Sequence, residues 1–354
     1  MPIAARDASD WARELGISRE AVELYLASEV IDLHLDTFIW HRLLGYEPTR
    51  RHARPPLGGW FLGHADFQRV REAGLAGATW VITTNPLREA EDRFRTLLAN
   101  LGRLELLFAE MPEDFELVRT LSEYRAARAR GRHAAFIGIQ GGNALDVDLH
   151  TIDMLPEGSV LRVTLVHLSS SRIGTTSSPF RIAPDTGLSD FGVELVKRLN
   201  AARILVDLAH VSPQGFWDAV EAHDPSLPIL VSHTGVSGVR PHWRNLDDTQ
   251  LRAVASSGGV VGILFHRGFL DRPPWRRRSD VIVDHLEHVI RVAGEETPAL
   301  GSDFDGAIVP PSDLTSVLEL PRLVEHMLRR GFRPERIQKI LGRNFLRLLG
   351  QVRP

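Results

Sequence analysis

"RILVDLAHVSP", residues 203–213, carries one complete structural unit. An apolar, largely β-branched or aliphatic run leads to His210, as expected of a buried strand with a polar residue at its end. Ser212 then offers a capping hydroxyl and Pro213 a pre-set first helical position, so a helix follows at once. The same unit recurs along the chain. Further strand candidates are "VIDLHLD" (30–36), "GATWVIT" (77–83), "AAFIGIQ" (134–140), "VLRVTLVH" (160–167), "PILVSH" (228–233), "GVVGILFH" (259–266) and "PALGSD" (298–303). Stretches with apolar residues at three- and four-residue spacing separate them, and Asn245 with Asp248 three residues on reads as another helix cap. Near-continuous apolar strands joined by helices imply a parallel sheet covered on both faces. Eight such units imply the α/β class and a single closed (β/α)8 TIM barrel. An open doubly wound sheet is the competitor, but no G-x-G-x-x-G follows the first strand. "SREAVELYLASEV" (18–30) has helical spacing before the first strand, so residues 1–29 are read as an N-terminal helical extension and 30–354 as the barrel.

Bulk properties remove several classes of function. The 354 residues are 43% hydrophobic and 25% charged with a net charge of −3, which gives no basis for nucleic-acid binding. Arg276-Arg277-Arg278 is short and local, as in a solvated loop. The absence of cysteine excludes disulfides and thiolate metal sites. The opening "MPIAARDASDWARELG" is too polar for a signal peptide, and no apolar stretch approaches membrane-spanning length, so the expectation is a cytoplasmic protein without a membrane partner.

The last polar residues of the strands form a pattern. They are His34 and Asp36, Gln140, His167, His210, His233, His266 and Asp303. In a parallel barrel these C-terminal ends share one rim, where barrel active sites lie. One such histidine would be a hydrogen-bonded structural residue; five with two aspartates on one rim point to a metal centre. Imidazole and carboxylate without thiolate suit zinc or a related divalent ion. Residues two apart on a strand face the same side, so His34 and Asp36 can hold one ion together.

The motifs resemble, in order, those of the membrane (renal) dipeptidase family of zinc peptidases, amidohydrolase-like metal barrels. "DLHLDT" resembles its His-x-Asp opening, and "GHADFQRVREAGLAGATW" its second-strand region. "VTLVH" resembles the fourth strand and "GLSDFGVELVKRLNAARILVDLAHVS" the fifth unit. "VSHTGVSGVRPHWRNLDDTQLRAVASSGGVVGI" resembles the sixth and seventh, "LGSDFDG" the eighth, and "RIQKILGRNFLRLL" the closing helix. The resemblance implies two zinc ions sharing a bridging carboxylate and a bridging water. It assigns His34 and Asp36 to one ion, His210 and His233 to the other, and His167 to the developing oxyanion. Arg244 would bind the substrate's terminal carboxylate, and Asp303 would move protons between water and leaving amine, although Asp305 stands two residues on. His266 receives no role from the resemblance and is read as lining.

The family's third strand ends Glu-Gly-Gly, and that Glu bridges the ions; here "FIGIQGGNAL" (136–145) puts Gln140 in the bridging position. An amide offers one neutral carbonyl oxygen in place of two anionic ones, so one or two zinc ions are expected, the second held weakly. "HLSSSRIGTT" (167–176) also departs from the family's Asn-rich segment, which points to a different substrate. The leading expectation is a metal-dependent dipeptidase acting on a small dipeptide-like substrate; the reading admits a homodimer. The alternative is a catalytically silent or repurposed member that binds a small amide with one metal or none, and it rests on Gln140.

Overall fold

The computed structural model describes residues 6–52, 58–179, 184–271 and 278–354. Arg276 and Arg277 of the basic run lie outside the described residues. The strands are β1 (Ile31–Leu35), β2 (Gly77–Thr83), β3 (Phe115–Leu117), β4 (His133–Gln140), β5 (Arg162–Thr164), β6 (Leu205–Asp207), β7 (Leu230–Thr234), β8 (Val260–Ile263) and β9 (Pro298–Leu300). All pairings between them are parallel. Without β3 the order is β2-β1-β9-β8-β7-β6-β5-β4, and β4 pairs back to β2, which closes a (β/α)8 barrel. In that last seam Gly77 aligns with Ala134 and Thr83 with Gln140. Each barrel strand coincides with one of the eight apolar runs, β4 starting one residue earlier at His133 and β7 ending one later at Thr234. Their residues are all buried, because helices cover the outside and side chains fill the inside.

Three local features bear on the site. Ser212 caps the helix Pro213–Ala222 by accepting from the Gly215 amide, as the sequence implies. Asn245 is not a cap. The helix Asp248–Ser256 is capped by Asp247, in a reciprocal box with Gln250, while Asn245 Nδ2 donates to the carbonyls of Arg240 and Phe269 at 2.8 Å. Tertiary partners captured the side chain that local spacing nominated. In β1, Asp32 pairs with Ala78 but Leu35 with Trp80, so one extra residue is accommodated just before the His-x-Asp pair. Such a bulge re-aims the side chains that follow it.

The other end of the barrel is shut by apolar packing. Ile31, Leu33, Phe136, Leu205, Leu230 and Val260 form one cluster with Phe345 and Leu348 of the C-terminal helix Asn344–Val352. That helix follows a π-helical turn, Lys339–Arg343. Within it, a Cβ on Gly342 would lie 1.9 Å from the Glu29 carbonyl oxygen, so only glycine lets the turn approach the start of β1. The helix Arg19–Leu26 packs on the helix Pro321–Arg329 and Ala8–Leu15 on Arg19–Leu26, and Ser18 Oγ between them donates to Glu325 at 2.5 Å. Among the described residues no helix is long and apolar enough to cross a membrane.

Candidate metal centre

β1, β4, β6, β7 and β9 each deliver a polar side chain to the rim within a few ångströms of a common point. His34 Nε2 lies 3.2 Å from Asp36 Oδ2 and 3.8 Å from Asp303 Oδ1. His210 Nε2 and His233 Nε2 are 2.8 Å apart, and the His34 and His233 rings are 3.8 Å apart between centroids. Candidate ligand atoms of His34, His233 and Asp303 all fall within 4.8 Å of one another, a grouping of metal-ligating side chains that stands alone among the described residues. Gln140 sits in the ring, with Nε2 3.3 Å from His210 Nε2 and Oε1 3.4 Å from Thr83 Oγ1. Rotation of the amide would present its oxygen to His210 instead. His167 stands at the edge, its ring 4.7 Å from that of His210.

Two of these residues occupy left-handed backbone, His210 at φ 65° and Asp303 at φ 62°. Such conformations cost on the order of 1–3 kcal/mol and persist where surrounding contacts fix them. The Ser177 amide donates to the His210 carbonyl at 2.8 Å, and the Asp303 amide to the His34 carbonyl at 3.2 Å.

The electrostatics suit a cation at this point. Burial drives the His210 and His233 pKa values well below the ordinary imidazole value, and the Arg244 charge adds to this, so both rings are neutral with a lone pair available. Burial likewise takes His167 down to about 4 against the opposing pull of Asp36. Asp303 is pushed well above the carboxylate range by burial and then by the Asp36 charge. Two buried carboxylates that cannot both ionise comfortably become compatible once a dication lies between them. The buried Nδ1 of His210 has no hydrogen-bond partner. The donor set therefore fits a divalent ion of the zinc type.

A layer behind the ring orients it, and the sequence reading passed over this layer. Arg162 donates through Nη2 to His34 Nδ1 at 2.8 Å and through Nη1 to Asp207 Oδ2 at 2.7 Å. The guanidinium thus holds the Nδ1 edge of His34 from behind and keeps Nε2 turned toward Asp36. Asp207 Oδ2 also accepts from Ser232 Oγ at 2.7 Å, and that hydroxyl lies 2.8 Å from His233 Nδ1. Thr83 Oγ1 donates to Asp36 Oδ1 at 2.9 Å. The signal was present in "LRVTL" and "LVDLA": a charge inside a buried strand needs a buried partner.

The Asp303/Asp305 ambiguity resolves by contact. Asp305 faces away from the ring and accepts from Thr37 Oγ1 at 2.6 Å and from the His64 and Ala65 amides at 2.8 and 3.3 Å. Asp305→Ala strands these donors in a buried position and is expected to cost about 3 kcal/mol of stability, read as a lower denaturant midpoint. His266 is likewise outside the ring: its Nδ1 accepts from the Val309 amide at 2.9 Å and its ring meets Phe269 edge-on. Arg244 is buried, donates to the His233 carbonyl at 2.7 Å, and has no carboxylate partner among the described residues. Burial lowers its pKa to about 10, so it stays charged at neutral pH. A cavity of about 260 Å³ opens beside the ring, bordered by Thr83, His167 and Arg42.

Comparisons with known proteins agree with this geometry. Residues 18–354 match the family model for membrane dipeptidases, peptidase family M19. An uncharacterized protein in the pqqA 5′ region of Klebsiella pneumoniae is 33% identical over 268 residues, covering 74% of this chain and 97% of that one. The crystal structure of an M19 metallopeptidase named dipeptidase AC superposes with a TM-score of 0.80 at 28% identity, covering 92% of this chain and 98% of that one. A Rhodobacter sphaeroides metallopeptidase, solved with a phosphinate mimic of the dipeptide L-Ala-D-Ala, gives a TM-score of 0.79 at 28% identity, covering 92% of this chain and 99% of that one.

Proposed function

Because the chain belongs to the membrane dipeptidase family, we propose that it is a metal-dependent dipeptidase that hydrolyses the amide bond of dipeptide-like substrates. The observation that carries this reading is the convergence of His34, Asp36, His210, His233 and Asp303 on one point of the barrel rim. His34 and Asp36 would hold one ion and His210 and His233 a second, with Gln140 between them. Bound there, zinc would supply Lewis-acid polarisation of the scissile carbonyl and a lowered pKa for water. His167 donates a hydrogen bond to the carbonyl oxygen as negative charge develops on it. Arg244 holds the substrate's terminal carboxylate as a two-pronged donor, which fixes the amide relative to the ring. Asp303 takes a proton from water and returns it to the departing amine nitrogen. The dipeptide mimic held by the Rhodobacter sphaeroides relative supports a substrate of this size. The reading includes a cytoplasmic protein.

The second reading, a silent or repurposed binder, is favoured by Gln140 alone. Elemental analysis of the purified chain and a dipeptide panel separate the two. Bound zinc with dipeptide hydrolysis supports the peptidase; a metal-free protein that cleaves nothing supports the binder. Arg244→Ala is expected to raise KM for free dipeptides roughly tens-fold, the loss of a buried charge-assisted contact. C-terminally amidated dipeptides should be insensitive to the change. Equal KM values for variant and parent on free dipeptides would remove Arg244 from this role.

A further inference from the structure

Beyond His167 the cavity beside the ring runs on into a second one of about 170 Å³, and Arg42, Thr83, Thr84 and Asn85 line both. The second cavity is bordered by four arginines: Arg42, Arg88, Arg93 and Arg103. They are not equally neutralised. Arg93 is paired with Asp146 at 2.6 Å and also donates to the Asn143 carbonyl at 2.7 Å. Arg88 meets Asp92 at 3.2 Å, where both side chains are about half exposed and the pair contributes little. Arg42 and Arg103 have no carboxylate partner among the described residues. Arg42 is half-buried, its Nε has no hydrogen-bond partner, and Phe38 is the aromatic face beneath it at 5.8 Å. Asn100, buried on the same wall, has an unpaired Oδ1. Burial disfavours the Arg42 charge, and Arg88 and Arg103 oppose it further, with only Asp36 acting in its favour. Four arginines border one space, and the two without a carboxylate partner are the half-buried Arg42 and the exposed Arg103, a site that an anion would complete.

We infer that the substrate carries a second anionic group, a side-chain carboxylate, received by Arg42 and Arg103 in the cavity beyond His167. This rests on the dipeptidase reading for the identity of the ligand. A dipeptide fixed by Arg244 at its terminal carboxylate, with its scissile carbonyl at His167, has its remaining freedom in its side chains. The cavity that starts at His167 leads one of them to Arg42. Guanidinium groups suit a carboxylate because they present paired donors in the plane of its two oxygens. The inferred substrates are dipeptides with an Asp or Glu side chain.

The test compares acid with amide, which share shape and differ in charge. The zinc-loaded full chain is assayed on alanine dipeptides bearing Glu or Gln at the first or second position, in L and D forms. The expected result is a kcat/KM ratio of Glu over Gln of about tenfold or more at one position, the size of one partly exposed charge-assisted contact. In Arg42→Gln and Arg103→Gln that ratio should fall toward one. Calorimetric binding of the same peptides to the metal-free chain should show the same ordering. Equal treatment of Glu and Gln, or a preference that survives both substitutions, overturns the inference. Inorganic phosphate binding more tightly than any acidic dipeptide, in an Arg42-dependent way, also overturns it and assigns the pocket to a free oxyanion. If acidic dipeptides bind selectively but none is cleaved, the dipeptidase reading falls while the pocket assignment holds.

Discussion

Gln140→Glu is expected to bind a second divalent ion at least about a hundredfold more tightly than the parent and to hydrolyse dipeptides faster. The exchange leaves side-chain volume nearly unchanged and adds one negative charge between His34–Asp36 and His210–His233. At an effective dielectric of about 20, a unit charge roughly 4 Å from a dication contributes on the order of 8 kcal/mol before desolvation. Survival of even a third of that gives the stated factor. No side chain needs to move to admit it, since Gln140 makes only the long contacts to Thr83 and His210. Metal stoichiometry by elemental analysis and kcat on a dipeptide panel are the two readouts. A variant that gains no ion and loses activity would mean that the amide is adapted to another reaction, and the dipeptidase reading would be given up.

Asp303→Asn should lower kcat by about 10²–10⁴-fold, the usual range for removing a positioned proton-transfer group. The raised pKa and burial of Asp303 suit that role. Its Oδ1 also stands within ligating reach of the His34 and His233 nitrogens, so metal content must be measured alongside the rate. Retained metal with a collapsed kcat is the expected outcome. Metal lost in proportion to the rate would make Asp303 a ligand rather than a proton carrier.

Much of this architecture was legible because barrel strands are written in a simple code. Each of the eight apolar runs had to cross a core lined on both sides, and the polar residue ending each run had to emerge at one rim. That is why His34, Asp36, Gln140, His167, His210, His233, His266 and Asp303 could be assigned to one rim, although His266 turns away from the ring to Val309 and Phe269. β3 was missed because three residues, Phe115–Leu117, paired to one end of β4 leave no periodic signature. Asn245 was misread because Asn-x-x-Asp satisfies the local rule for a helix start. The carbonyls that claimed its amide come from Arg240 and from Phe269, 24 residues away. The Arg162–Asp207 pair was overlooked for the converse reason: each charge sits in a strand that otherwise reads as pure core, and only the closed barrel brings them face to face at 2.7 Å.

That buried pair ties the two halves of the ring to one anchor. Asp207 reaches His34 through Arg162 and His233 through Ser232, so a change at any of these positions disturbs both histidines together. The Gln140 side chain lies outside this wiring, attached only by its two long contacts. The ring thus has an interlocked part and one member whose side chain is held apart from it. A change of charge at position 140, as in Gln140→Glu, leaves every contact of the Arg162–Asp207–Ser232 scaffold in place. Charge at position 140 is in this way separable from the contacts that hold His34 and His233.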